Sequence, residues 1–168
     1  YDFNQVILYA PTFRDITDGR IPFSESMLNK LNLYLQEKNF LMIVKKHPHD
    51  IDLEIPDHFT NIKDISQENE DIQELLINTD ILITDYSSVF FDFILTGRPV
   101  IYYAYDFDNY IRDCRGMYFD YFSEIPGPFA SSEEELLNIL KELNNWFYSE
   151  NYQKKYSEFK KRVICSKK

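Results

Sequence analysis

Short apolar runs alternate with helix-patterned segments along this chain, and this alternation limits the possible folds more than any other feature. Residues 5–10 form an apolar run that Pro11 ends, as expected of a strand buried on both faces of a parallel sheet. Residues 24–39 place apolar side chains at helical spacing behind a serine cap, and a second apolar run follows at 40–44. Strand, helix and strand in this order predict a βαβ unit.

The same alternation continues to the end of the chain. It predicts an α/β fold, a doubly wound, Rossmann-like parallel sheet in a single domain that spans residues 1–168. Ligands of such sheets bind beyond the carboxyl ends of the strands. The further predicted elements are an edge-side strand at 59–62, a helix at 71–78, a strand at 80–84, a helix at 88–95, a strand at 99–103, a loop-like stretch at 104–130 and helices at 132–147 and 152–164.

The charge of the chain excludes one class of function and singles out the C-terminal end. With 18 basic and 28 acidic residues the formal charge is -10, which argues against a nucleic-acid partner. Basic residues concentrate in 148–168, a predicted C-terminal basic helix. Such a helix either contacts an anionic membrane surface or is a solvated face that compensates helix ends. The two distant cysteines, Cys114 and Cys165, favour a reducing compartment, the cytoplasm.

Polar clusters follow three of the predicted strands and should meet at one edge of the sheet. They occupy residues 11–15, 45–50 and 84–88. Ser87 and Ser88 join a strand directly to a helix, an arrangement that offers backbone amides and two hydroxyls to a phosphate. The alternative is that one serine only caps the helix. Because Asp85 would repel an anion, we expect its carboxylate to tie the loop backbone together or to meet a hydroxyl.

Histidines and aspartates raise the questions of acid catalysis and of metal binding. His47 follows the second predicted strand and suits hydrogen bonding to a phosphate or general acid chemistry, although an isolated loop histidine is more often only solvated. His47 and His49 lack a third metal ligand nearby. Asp106 and Asp108 have the Asp-x-Asp form of cation-binding sugar transferases, but 15 Asp in 168 residues produce such a pair by chance. We therefore expect no metal and, without a glycine-rich phosphate loop, no cofactor.

Several motifs, taken in their order along the chain, carry a family resemblance. They lie at residues 8–14, 47–48, 81–93, 97–103, 105–106, 115–120 and 126–128. Together they resemble the CDP-glycerol glycerophosphotransferase family, whose members build teichoic acids and related phosphopolymers. The resemblance implies the C-terminal, donor-binding half of a GT-B architecture, in which two Rossmann-like domains face each other across a cleft. It therefore implies that the chain is a fragment of a longer two-domain transferase.

The resemblance also implies a reaction and its partners. Glycerol phosphate, or a related polyol phosphate, would move from CDP-glycerol to the hydroxyl of a lipid-linked or polymer acceptor in cell-wall teichoic acid or capsule biosynthesis. An N-terminal GT-B domain of the same chain would supply the base. We expect such a protein in the cytoplasm, peripherally at the inner face of the plasma membrane, and we expect the isolated fragment to be inactive.

Residue roles follow from the match to the family's motifs. His47 is the implied catalytic residue. The CDP diphosphate would be contacted by His47, Ser87, Ser88 and Asp85. Further contacts to the donor or the acceptor are implied for Arg115, Arg14 and Thr12. The helix-start argument points to the two serines independently of the resemblance.

Two other functions stay open at this point. One is a GT-B glycosyltransferase domain that uses CMP-sialic acid or a UDP-sugar, because histidine and serine contacts to phosphate also occur in such enzymes. The other, from a different class, is a non-catalytic nucleotide-binding domain. The identity of the polyol or sugar and of the acceptor is not fixed by any motif in the chain.

Overall fold

A computed structural model of the chain describes residues 2–13, 22–47, 55–107 and 124–165, and a six-stranded sheet runs through these ranges. The strands are β1 (Gln5–Ala10), β2 (Phe40–Val44), β3 (Ile62–Asp64), β4 (Ile81–Thr84), β5 (Val100–Tyr103) and β6 (Phe129–Ala130). The helices are α1 (Glu25–Lys38), α2 (Ile72–Ile77), α3 (Val89–Phe93), which a 3₁₀ turn (Ile94–Thr96) continues, α4 (Glu133–Lys141), α5 (Leu143–Phe147) and α6 (Glu150–Cys165).

The sheet has the strand order β3-β2-β1-β4-β5-β6, and each neighbouring pair is parallel. The chain builds outward from β1 to β3 and then returns to place β4 on the other side of β1. The strand order reverses between β1 and β4, and ligands of doubly wound sheets bind beyond the carboxyl ends of the strands at such a point. The predicted doubly wound parallel sheet is confirmed.

Alternate residues of the central strands face two separate cores, one on each side of the sheet. Ile7 and Tyr9 of β1 face the core that is completed by α1, α4 and α5. Leu8 and Ala10 face the core that is completed by α2, α3 and α6. Every residue of β4 and β5 is buried, which explains why these strands read as continuous apolar runs in the sequence.

Three predicted elements differ from those observed. The edge strand spans Ile62–Asp64 rather than 59–62, because Phe59 turns its ring into the core before the backbone reaches the sheet. The helix predicted at 132–147 is divided at Glu142 into α4 and α5. The strand β6 lies in a stretch predicted as loop, since two residues carry no detectable alternation.

The predicted basic helix is α6, and it packs on the sheet rather than projecting from it. Tyr156 and Phe159 are buried in the second core. Lys160 Nζ donates to the Leu95 carbonyl oxygen at 2.7 Å, at the end of the 3₁₀ turn. This part of the basic charge therefore compensates a helix end, one of the two alternatives that the sequence allows. Within the described ranges, no helix is long and apolar enough to span a lipid bilayer.

We expect the substitution Tyr156→Phe to lower the free energy of unfolding by about 2 kcal/mol, because one buried and one partly buried carbonyl group lose a donor. The Tyr156 hydroxyl donates to the carbonyl oxygens of Ile94 at 3.0 Å and Arg98 at 2.8 Å. Burial raises the pKa of Tyr156, so the hydroxyl keeps its proton. Urea denaturation measures the effect. The control is Tyr148→Phe, at a side chain that is 72% exposed, and equal losses in both variants would contradict the assignment.

Candidate functional site

Three strand ends meet at the carboxyl edge of the sheet and bring predicted site residues together. β1 lies between β2 and β4, so the segment after β1 is flanked by the segments that follow the other two strands. Thr12 follows β1, His47 follows β2, and Asp85, Ser87 and Ser88 follow β4. The predictions for Arg14 and Arg115 lie outside the described residues.

Asp85 joins the segment after β4 to the segment after β1. Its side chain is fully buried, and its Oδ1 accepts hydrogen bonds from Thr12 N at 2.8 Å and Thr12 Oγ1 at 2.7 Å. One residue earlier, Thr84 Oγ1 donates to the Ala10 carbonyl oxygen at 2.7 Å. The expectation that this carboxylate meets a backbone group and a hydroxyl is confirmed.

The turn between β4 and α3 carries the two predicted serines. Ser88 precedes the helix in a helical conformation, with φ -65 and ψ -10, and its side chain makes no capping hydrogen bond. Ser87 Oγ accepts only a long hydrogen bond from Val89 N, at 3.4 Å. A strong cap has an extended backbone and a short bond, so capping does not explain this pair well. Because α3 has 5 residues, its dipole is small, and amides and hydroxyls are the groups that would attract an anion.

His47 is exposed and lies against an aromatic ring from the neighbouring strand end. The ring centroids of Phe13 and His47 are 4.6 Å apart, with an angle of 46° between the planes. Phe13 is 36% exposed. Phe13 is not among the predicted site residues, and its position directly after Thr12 at a strand end is the signal that could have indicated it.

The side chains of Lys45 and Lys46, the two residues before His47, contact the end of β3 and the segment that follows it. Lys45 Nζ donates to two backbone carbonyl oxygens there, the nearer being that of Glu68 at 2.6 Å. Lys46 Nζ lies 3.7 Å from Asp64 Oδ2, and the Lys46 side chain is largely buried. These contacts anchor the backbone that leads into His47.

Asp106, the first aspartate of the Asp-x-Asp pair, connects the segment after β5 to the turn after β4. Tyr86 donates its hydroxyl to Asp106 Oδ1 at 3.2 Å, and its ring lies 6.2 Å from that of Phe107. Asp108 lies outside the described residues. Among the side chains that the structure describes, no group of three or more His, Cys, Asp and Glu could hold a metal ion.

A cavity of about 850 Å³ lies elsewhere, along the β2–β3 side of the sheet. Gln36 and Asn61, two of its polar lining residues, already hydrogen-bond within the protein, to Thr60 Oγ1 and to the Phe40 carbonyl oxygen. Lys63, a basic residue of the lining, is 3.5 Å from a carboxylate oxygen of Glu68. This chemistry does not suit a diphosphate, so the strand ends are the better candidate site.

Comparisons with known proteins agree with the sequence motifs. The model of the family described as CDP-Glycerol:Poly(glycerophosphate) glycerophosphotransferase matches residues 2–167. The chain is 37% identical over 143 residues to a teichoic acid glycerol-phosphate transferase of Staphylococcus aureus, covering 83% of this chain and 36% of that protein. It is 39% identical over 140 residues to a teichoic acid poly(ribitol-phosphate) polymerase of Bacillus spizizenii, covering 82% of this chain and 22% of that protein. The chain thus spans well under half the length of these relatives.

Solved structures give the same relationship. The wall teichoic acid polymerase TagF superimposes with a TM-score of 0.75 at 33% identity, over 95% of this chain and 39% of that one. A variant of TagF soaked with CDPG superimposes with a TM-score of 0.74. The glycotransferase of kitacinnamycin, at 11% identity and a TM-score of 0.60, shares the fold alone. The predicted Rossmann-like fold of GT-B transferases is therefore confirmed, and the chain belongs to the CDP-glycerol:poly(glycerophosphate) glycerophosphotransferase family.

Proposed function

We propose that this chain is the donor-binding domain of a transferase that moves glycerol phosphate, or a related polyol phosphate, from CDP-glycerol to an acceptor hydroxyl. Membership of the family supports the reaction class. The names of the relatives include both glycerol-phosphate and ribitol-phosphate enzymes, so the polyol stays open between them. The observation that supports the proposal is the topology: His47 follows β2, and Ser87 and Ser88 follow β4, the two strands that flank β1 where the strand order reverses.

The CDP diphosphate would lie between the turn after β4 and the segment after β2. The backbone amides and hydroxyls of Ser87 and Ser88 would donate to its oxygens on one side. His47 would donate from the other side and transfer a proton to the departing CMP phosphate. Phosphoryl transfer depends chiefly on alignment and charge stabilisation, which such donors supply. Arg14 and Arg115 are the further candidates for contacts with donor or acceptor.

The remaining parts of the transferase are proposed from the family. An N-terminal GT-B domain in a longer protein would close the cleft and provide the base that activates the acceptor. The acceptor would be a lipid-linked phosphopolymer, and the enzyme would then lie peripherally at the inner face of the plasma membrane. Lys154, Lys155 and Lys161 on α6 are exposed and have the charge that an anionic lipid surface attracts.

We expect the double substitution Ser87→Ala and Ser88→Ala to weaken CDP binding by about tenfold, the equivalent of one charge-assisted hydrogen bond. Calorimetric titration of the chain with CDP, CMP and UDP measures this, and the wild type should prefer CDP to UDP. Cytidine is the ligand control, because it lacks phosphate and its affinity should not change. Ser157→Ala, at an exposed serine of α6, is the matched protein control. A preference for UDP, or equal weakening of cytidine and CDP, would contradict the proposal.

A further inference from the structure

We infer that Thr12 and Asp85 are positioning residues that set the spacing between the two halves of the proposed diphosphate site. One half is His47, and the other is the pair Ser87 and Ser88. The inference rests on the proposed function and adds to it a contact that none of the family motifs assigns.

The buried carboxylate of Asp85 connects the segment after β4 to the segment after β1. Its side chain has no solvent-exposed surface, and Oδ1 receives both the backbone N–H and the hydroxyl of Thr12, at 2.8 Å and 2.7 Å. Hydrogen bonds to an ionised carboxylate are shorter and stronger than neutral ones. A buried carboxylate also repels phosphate oxygens, so the arrangement favours a role in holding the loops over direct contact with the donor.

The two hydrogen bonds from Thr12 to Asp85 form a bridge between the segment after β1 and the segment after β4. This bridge lies beyond the last paired residues of the two strands. The last register pair between β1 and β4 is Ala10 with Thr84, and the strands end there. Thr12 and Asp85 lie within two residues of these strand ends, at the point where the strand order reverses. Their two hydrogen bonds connect chain segments that are 73 residues apart.

Both halves of the proposed site are a short distance along the chain from this bridge. Phe13 follows Thr12 directly, and its ring is 4.6 Å from the ring of His47. Ser87 is two residues after Asp85. Loss of the bridge would therefore let His47 and the serines move independently, and misplacement of about 1 Å at a reacting site costs up to about 100-fold in rate.

The test compares three variants of the 168-residue chain. Thr12→Val removes the hydroxyl and keeps the backbone donor, while Thr12→Ser keeps both. Thr84→Val is the matched control, because it removes a hydroxyl hydrogen bond between the same two strands, to the Ala10 carbonyl oxygen. Should Thr12→Val fail to fold, Thr12→Ala, which adds no methyl group against the loop, takes its place. The readouts are NMR order parameters of the Ser87 and Ser88 amides and the affinity for CDP.

We expect Thr12→Val to lower those order parameters from about 0.85 to below about 0.6 and to weaken CDP binding by about tenfold. Thr12→Ser should restore both within about twofold, and Thr84→Val should change neither by more than that. Unchanged order or affinity in Thr12→Val, or equal changes in Thr84→Val, would overturn the inference. If the wild type binds no CDP, the proposed function fails, and the order parameters alone then decide whether the bridge holds the turn.

Discussion

Replacement of His47 by alanine should lower kcat of the full-length transferase by about 10²- to 10⁴-fold, the usual contribution of a positioned general acid. The reason is that His47 is proposed to donate to the departing CMP phosphate, where negative charge develops only as the bond breaks. Affinity for CDP should fall far less than turnover, because most of the ground-state contacts remain. Steady-state kinetics with CDP-glycerol, together with CDP titration, separates the two effects.

The chain offers a matched control for this substitution. His58 is also exposed and also packs on a phenylalanine ring, with its centroid 4.2 Å from that of Phe59. It precedes β3, however, and so lies at the opposite end of the strands from His47. His58→Ala should leave kcat within about twofold of the wild type. Unchanged turnover in His47→Ala would remove His47 from the mechanism.

Gly127→Ala should destabilise the fold by about 3 kcal/mol, at the upper end of overpacking effects. A Cβ atom at this position would overlap the Val100 carbonyl oxygen and would lie 2.8 Å from Cε2 of Tyr102. Neither neighbour is the end of a flexible chain, so the backbone of β5 or of the segment that leads into β6 must shift. Thermal or urea unfolding of the chain measures the loss.

Gly97 provides the comparison that separates crowding from backbone conformation. It has φ +79, and a Cβ there would meet nothing within 4 Å. Gly97→Ala therefore carries only the cost of a left-handed conformation, about 1 kcal/mol. If Gly97→Ala destabilised the chain as much as Gly127→Ala, close packing at Gly127 would not be the cause.

Local sequence signals were sufficient for the first βαβ unit. The strand β1 ends where Pro11 stops the apolar run, and α1 begins at the predicted cap, where Ser24 Oγ accepts from Met27 N at 3.1 Å. Asn39, with φ 55, ends the helix and allows β2 to start at once. Each of these boundaries is set by residues next to it in the chain.

The same reasoning could place the strand ends at one edge but not the contacts between them. The bond from Thr12 to Asp85 and the ring contact of Phe13 with His47 join different strands, so their geometry depends on the finished sheet. Short elements were missed for a related reason. The strand β6 has 2 residues and is defined by its pairing with β5, not by its own pattern.

The most direct test of the proposed donor site is an NMR titration of the chain with CDP-glycerol. Amide shift changes should cluster at His47 and at residues 85–89, where the diphosphate is proposed to bind. Changes that cluster instead around the cavity along β2 and β3, near Gln36 and Asn61, would contradict it.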